Sequence, residues 1–165
     1  MSLKFLENVA SFCGKIAASY RAYWERANQQ IQEERKQRQD QNKINELLLV
    51  YPSYAAAVMQ SINNVRTKFD IIPVTDYTQV YVTRKVMQTK QDVYVMLFRA
   101  RYRNSPTATA SILCRNLQDE LDVLCDDAGL EPVRISVRYS PDDTIGIFMA
   151  RVSDITAATL QKVKI

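Results

Sequence analysis

The sequence predicts an α+β fold: N-terminal helices, then a ββαββα unit whose small antiparallel or mixed sheet is backed by helices. Three observations predict it. Apolar residues recur every three or four positions as far as Phe69, and they alternate every second position in stretches around 80–102 and 133–152. Between those stretches lies a leucine-striped helix with strong end signals. Only three Gly and five Pro in 165 residues fit long elements with short joints. The length suits one core of moderate size plus an extension, read as an amphipathic helix with a polar continuation over 1–42 and an α+β domain over 43–165.

In the first segment Leu6, Val9, Cys13, Ile16, Tyr20, Tyr23, Ala27 and Ile31 form one helical stripe, which Ser2 can cap. Past Trp24 the stripe thins into a run of Gln, Glu, Lys and Arg from Gln29 to Gln39, rich in helix formers with little to bury. This polar run is expected to be solvated, as a protruding helix or a frayed linker. Three partners suit the stripe. Its 3.5-like repeat with Gln, Glu, Lys and Arg flanks fits packing or self-association as a short coiled coil. Phe5, Phe12, Tyr20, Tyr23 and Trp24, with Lys4, Lys15, Arg21 and Arg26, fit a helix lying on anionic lipid. Nucleic acid fits less well, because Glu33 and Glu34 blunt the basic field. Leu6, Phe12, Ile16, Tyr20, Tyr23 and Trp24 are the expected partner or membrane contacts.

Helix is expected to resume at Ile44, to break at Pro52, and to restart near Ser53, with Tyr54, Val58, Ile62, Val65 and Phe69 on the core face. Pro73 and Asp76 are expected to close this helical half. Val80, Val82 and Val86, then Val93 to Tyr102, read as a hairpin. Arg99, Arg101 and Arg103 share one face of its second strand, and Phe98, Ala100 and Tyr102 the other. One sheet face should therefore be buried and the other basic and wet.

Ser105-Pro106 is a helix start, because the serine accepts from orphan amides and proline has no N–H to lose there. Leu113, Leu117, Leu121, Leu124 and Ala128 form the buried stripe, and Gly129 supplies a left-handed stop. The opposite face is acidic, with Asp119, Glu120, Asp122, Asp126 and Asp127. Val133 to Tyr139 and Thr144 to Val152 are two further strands around a Ser140 to Asp143 turn. Gly146 marks a bulge or a close approach of backbone. Asp154 can cap a final helix whose Ile155, Ala158 and Val163 face inward.

The chemistry is defined mostly by exclusion. There is no His, so Ser/His/Asp and Cys/His systems are not available, and Gly14-Lys15 lacks a phosphate-binding loop after a strand. Cys13, Cys114 and Cys125 are odd in number and without metal-ligand spacing, so neither a disulfide framework nor a metal site is expected. Cys114 and Cys125 read as packing residues. The acidic pairs Asp126-Asp127 and Asp142-Asp143 read as solvated. No catalytic residue and no cofactor are expected, and the setting is expected to be cytoplasmic, with peripheral membrane contact through the first helix as the variant.

A formal charge of +4 is mildly basic. Arg84, Lys85, Arg99, Arg101, Arg103, Arg134 and Arg138, with Tyr81 and Tyr94 nearby, are expected to form a basic sheet surface that suits nucleic-acid phosphates.

Asn116-Leu117-Gln118-Asp119-Glu120-Leu121, then Val133-Arg134-Ile135, then Ile145-Gly146-Ile147, resemble the module that precedes the motor in FtsK/SpoIIIE-type DNA translocases. The resemblance spans about 98–163. It departs from the family at Thr107, where a glycine follows the loop proline, and at Phe148-Met149-Ala150-Arg151, where the family has Glu-Val-Pro-Asn. No Walker A loop follows, so no ATPase activity is implied. The resemblance implies a non-catalytic part of a DNA-handling apparatus, with duplex DNA, a motor ATPase or other subunits as partners and a homo-oligomeric ring as the assembly. The other function the sequence supports is an interaction or scaffold protein, self-associating or membrane-attached through its first helix.

Overall fold

The computed structural model describes residues 2–83, 92–103 and 109–163; for 75–79, 81–83 and 158–163 the backbone alone is described. The chain divides into two compact units, Met1–Asn42 and Lys43–Ile165. The element order is α1 (Leu3–Val65), β1 (Ile71–Thr83), β2 (Val93–Tyr102), α2 (Ala110–Asp127), β3 (Val133–Tyr139), β4 (Thr144–Arg151) and α3 (Val152–Val163). This is an α+β fold with a four-stranded antiparallel sheet in the order β1-β2-β4-β3.

In the first unit every described residue is helical apart from Ser2, and only Ala22, Ala27 and Asp40 are even half-buried. The polar run from Gln29 to Gln39 is helix throughout, as its helix-forming composition favours.

The second unit begins within α1, and here Pro52 departs from expectation because the helix does not break. Pro52 removes one backbone hydrogen bond, a cost of about 3 kcal/mol in a helix interior. Two tyrosines hold the helix on either side of it. Tyr51 donates its hydroxyl to the Leu97 carbonyl at 2.7 Å, and Tyr54 donates to the Glu131 carbonyl at 2.9 Å. Pro52 itself and Leu48, whose carbonyl loses the donor, lie on the exposed side, where water can replace the missing bond.

The core lies between one sheet face and the helices α1 and α2. Tyr51, Tyr54, Val58, Ile62, Val65 and Phe69 pack with Leu113, Leu117 and Leu121 on Met96, Phe98, Ala100, Ile135, Val137, Ile145, Ile147 and Met149. Tyr51 stacks on Phe98 at 4.5 Å between ring centroids. The leucine stripe of α2 is as its spacing predicts through Leu121. Leu124 is half-buried against the core, and Ala128 is exposed, because Ala128 already forms the C-cap. Gly129 takes φ +66, the left-handed stop. Cys125 is buried and Cys114 half-buried, and burial pushes both thiols up from their ordinary pKa.

Several boundaries correct the sequence reading. Pro73 does not close a helical half but lies inside β1, which starts at Ile71. There β1 is an edge strand, where a missing N–H need cost no ladder bond. A bulge follows: β1 advances from Val74 to Gln79 while β2 moves only from Arg99 to Leu97. The expected start of α2 at Ser105-Pro106 lies outside the described residues. The helix runs from Ala110 and is capped by Thr109, whose hydroxyl accepts from the Ile112 amide at 3.4 Å. Asp154 lies in the first turn of α3 rather than before it. The inward positions expected of Ala158 and Val163 are outside the described side chains.

The second sheet face is not uniformly wet, which is a further correction. Val93, Val95 and Ala150 are buried there and pack with Phe148 and with Ile155 of α3, so one end of that face forms a second small core. Arg99, Arg101 and Arg138 lie at the other end, while Arg134 stands beside Ala150.

Candidate nucleic-acid interface

Alternation along β2 puts Val93, Val95, Leu97, Arg99 and Arg101 on the face opposite Met96, Phe98 and Ala100. The antiparallel register then brings three strands together. Arg101 pairs with Thr144, Arg99 with Gly146, Gly146 with Arg138, and Arg134 with Ala150. Arg99 and Arg138 therefore flank Gly146 on its two sides, with their Cα atoms about 10 Å apart across two strand spacings. All of Arg99, Arg101, Arg134 and Arg138 are exposed.

Gly146 is neither a bulge nor a turn, since the β4 register runs unbroken through it. Its role is close approach. A Cβ built there would meet the Phe148 ring at 2.9 Å, so the absent side chain lets that ring lie along the strand. The Arg138 guanidinium lies over the same ring, 5.5 Å from its centroid. Gly146 and Phe148 thus lie between the strands that carry Arg99 and Arg138 on one sheet face. Asp142, in the β3–β4 turn, accepts from the Thr144 hydroxyl at 2.6 Å. That bond first, and the nearby Arg99 charge last, hold Asp142 below the ordinary carboxylate range.

The other expected site residues fall elsewhere. Arg103 lies just beyond β2 and is drawn to Asp70, whose carboxylate is 3.8 Å away and whose carbonyl accepts the Arg103 amide at 2.8 Å. Arg134 is on the arginine face but four residues of β4 away from Gly146, about 13 Å. Tyr94 follows the alternation of Met96 and Phe98, so it lies on the opposite face from the arginines. Arg84 and Lys85 are outside the described residues, as is the side chain of Tyr81. Leu6, Phe12, Ile16, Tyr20, Tyr23 and Trp24 belong to the first unit and are all exposed.

Sequence reasoning missed an ionic cluster in the folded domain. Arg151, at the end of β4, donates to Asp154 at 3.0 Å and to Glu46 at 3.1 Å and lies 3.6 Å from Glu131, while Lys43 lies 3.2 Å from Asp154. These residues come from α1, the α2–β3 loop, β4 and α3, so no local spacing reveals them. Among the described residues no group of three or more Cys, Asp or Glu side chains could hold a metal ion, and no described helix is long and apolar enough to cross a membrane.

No family model, curated protein or solved structure matches this chain.

Proposed function

We propose that the protein is a non-catalytic module of a DNA-handling or DNA-translocation apparatus, gripping the phosphate backbone through Arg99, Arg101 and Arg138. The observation that carries this reading is the register that sets Arg99 and Arg138 on either side of Gly146, with Arg101 two pairs further along on the same face. Guanidinium groups on one sheet face suit phosphate oxygens, and contacts of that kind read charge rather than base edges. Opposite charge lies on the far side of the sheet, where α2 exposes Asp119, Asp122, Asp126 and Asp127. That separation favours one docking side for a polyanion. The resemblance to a translocase module favours DNA among polyanions.

Binding of this kind is indifferent to sequence and steep in salt. The test is fluorescence anisotropy with a labelled duplex across a salt series. The Arg99→Glu/Arg101→Glu variant should lower the slope of log K against log salt by about two units, and Arg138→Glu by about one. No binding at low salt, or slopes unchanged by these reversals, would refute the reading.

A further inference from the structure

We infer that residues 5–40 pair with the same segment of a second copy of this chain as a parallel, in-register coiled coil. Leu6, Val9, Cys13, Ile16, Tyr20, Tyr23 and Ala27 follow one another at steps of three and four over three heptads, occupying a and d positions without a skip. A strict 3.5-residue repeat is what a left-handed helix pair demands; a helix lying on lipid needs only a broad apolar side. All of these residues are exposed except Ala27, which is half-buried. The seam is therefore formed and uncovered.

The flanking positions choose both the occupant and its direction. In a parallel pair each g residue meets the e residue five positions later on the partner helix. Phe5 then meets Ala10, Phe12 meets Ala17, and Ser19 meets Trp24, a large side chain opposite a small one each time. Arg26 meets Ile31, and past the seam, where Gln30, Glu34 and Gln37 take the core positions, Glu33 meets Arg38, a pair of opposite charge. Gly14 falls at an outward position with no neighbouring atom within 4 Å, so it does not interrupt the contact.

The area is sufficient. Phe5, Phe12, Tyr20, Tyr23 and Trp24 are between 51% and 66% exposed. At about 200 Å² for each aromatic side chain they offer roughly 600 Å² per helix and about 1,200 Å² per pair, the lower edge of specific interfaces before any aliphatic residue is added. On one chain about 600 Å² is already the top of the range that monomers ordinarily leave uncovered, before any aliphatic residue is added.

Cys13 makes the direction measurable. It is free and exposed, and in a parallel in-register pair it faces Cys13 of the second copy across the axis. The Cα atoms are then about 6 Å apart, within disulfide range. Sedimentation and light scattering of the full chain at micromolar concentration should give a dimer. Copper-phenanthroline in air should convert the two Cys13 thiols to a disulfide, with oxygen taking the two electrons and protons, and Cys13→Ser should abolish the crosslink yet remain a dimer. Ile16→Asp should give a monomer in which the Ile147 amide, in the middle of the sheet, stays as protected from hydrogen exchange as in the wild type. Glu33→Arg should weaken pairing several-fold, and adding Arg38→Glu should restore it. A monomeric full chain, a monomer that instead floats with anionic vesicles, a dimer that Cys13 does not crosslink, an assembly of three or more copies, or a dimer indifferent to Ile16→Asp would each overturn the inference.

Discussion

Arg151 shows how a buried cation is kept charged at the level of single side chains. Its side chain is 7% exposed, and burial works against the charged guanidinium. Hydrogen bonds and fields from Asp154 and Glu46, with the field of Glu131, outweigh that cost, so its pKa is raised. The reciprocal effect falls on Glu46, which the Arg151 hydrogen bond, aided by Lys43, holds below its ordinary 4.5 despite some desolvation. A carboxylate with a depressed folded pKa contributes stability that is present above its unfolded value and lost as pH falls through the folded value. Replacing Arg151 by Met leaves Asp154, 10% exposed, with Lys43 as its cation at 3.2 Å. Arg151→Met should therefore cost about 1–2 kcal/mol near neutral pH, less than stranding a buried charge, because Asp154 keeps Lys43 and both Glu46 and Glu131 face water. In urea unfolding the gap between wild type and variant should narrow as pH falls below the ordinary carboxylate range and Glu46 takes up its proton. A gap equally wide at neutral and acid pH would show that the carboxylates do not contribute through Arg151.

Among the elements, β3 is an edge strand whose outward groups are occupied by side chains of α2. Gln118 donates from Nε2 to the Val133 carbonyl at 2.9 Å and accepts the Ile135 amide on Oε1 at 3.0 Å, reproducing the donor–acceptor pair of a neighbouring strand. Cys114 continues the pattern by donating to the Ile135 carbonyl at 3.4 Å. Such cover keeps an edge from pairing with other chains. Gln118→Ala should cost about 1 kcal/mol, since the two backbone groups that it serves are only part-buried and water can replace it. It should speed hydrogen exchange at the Ile135 amide while leaving that of Ile147, in the middle of the sheet, protected. Unchanged exchange at Ile135 would mean that water or a shifted neighbour already satisfies the edge.

At this scale the sequence was read well where the signal is local. The steps Leu113, Leu117 and Leu121 and the stop at Gly129 need only one helix to be understood, and the alternation of Arg99 and Arg101 needs only one strand. Pro52 stays inside the helix, against its local signal, because Tyr51 and Tyr54 hold the helix through carbonyls 46 and 77 residues away. The buried end of the second sheet face was invisible for a similar reason. Its apolar pairs Val93, Val95 and Ala150 come from two strands and are covered by Ile155 from a third element. In the candidate site, the company of Arg99 and Arg138 around Gly146 required the strand order β2-β4-β3, which alternation alone does not give.

For the whole molecule, the division of labour between the two units can be put to one experiment. Among the described residues every buried core residue lies between Leu47 and Arg151, inside the second unit, and the Arg151 cluster with Lys43 and Glu46 is contained in it as well. The uncovered apolar seam lies wholly in the first. A chain comprising 43–165 should therefore fold cooperatively with a urea midpoint close to that of the full protein, and it should be monomeric. If two copies in a pair engage one duplex, linking them raises apparent affinity without new contacts. The truncated chain should accordingly bind duplex DNA more weakly than the full chain, yet its binding should still fall on Arg99→Glu/Arg101→Glu. Retained dimerisation would remove the seam as the assembling element. Equal affinity in both chains would show that the arginine faces act singly, and loss of the arginine dependence would move the phosphate contacts into residues 1–42.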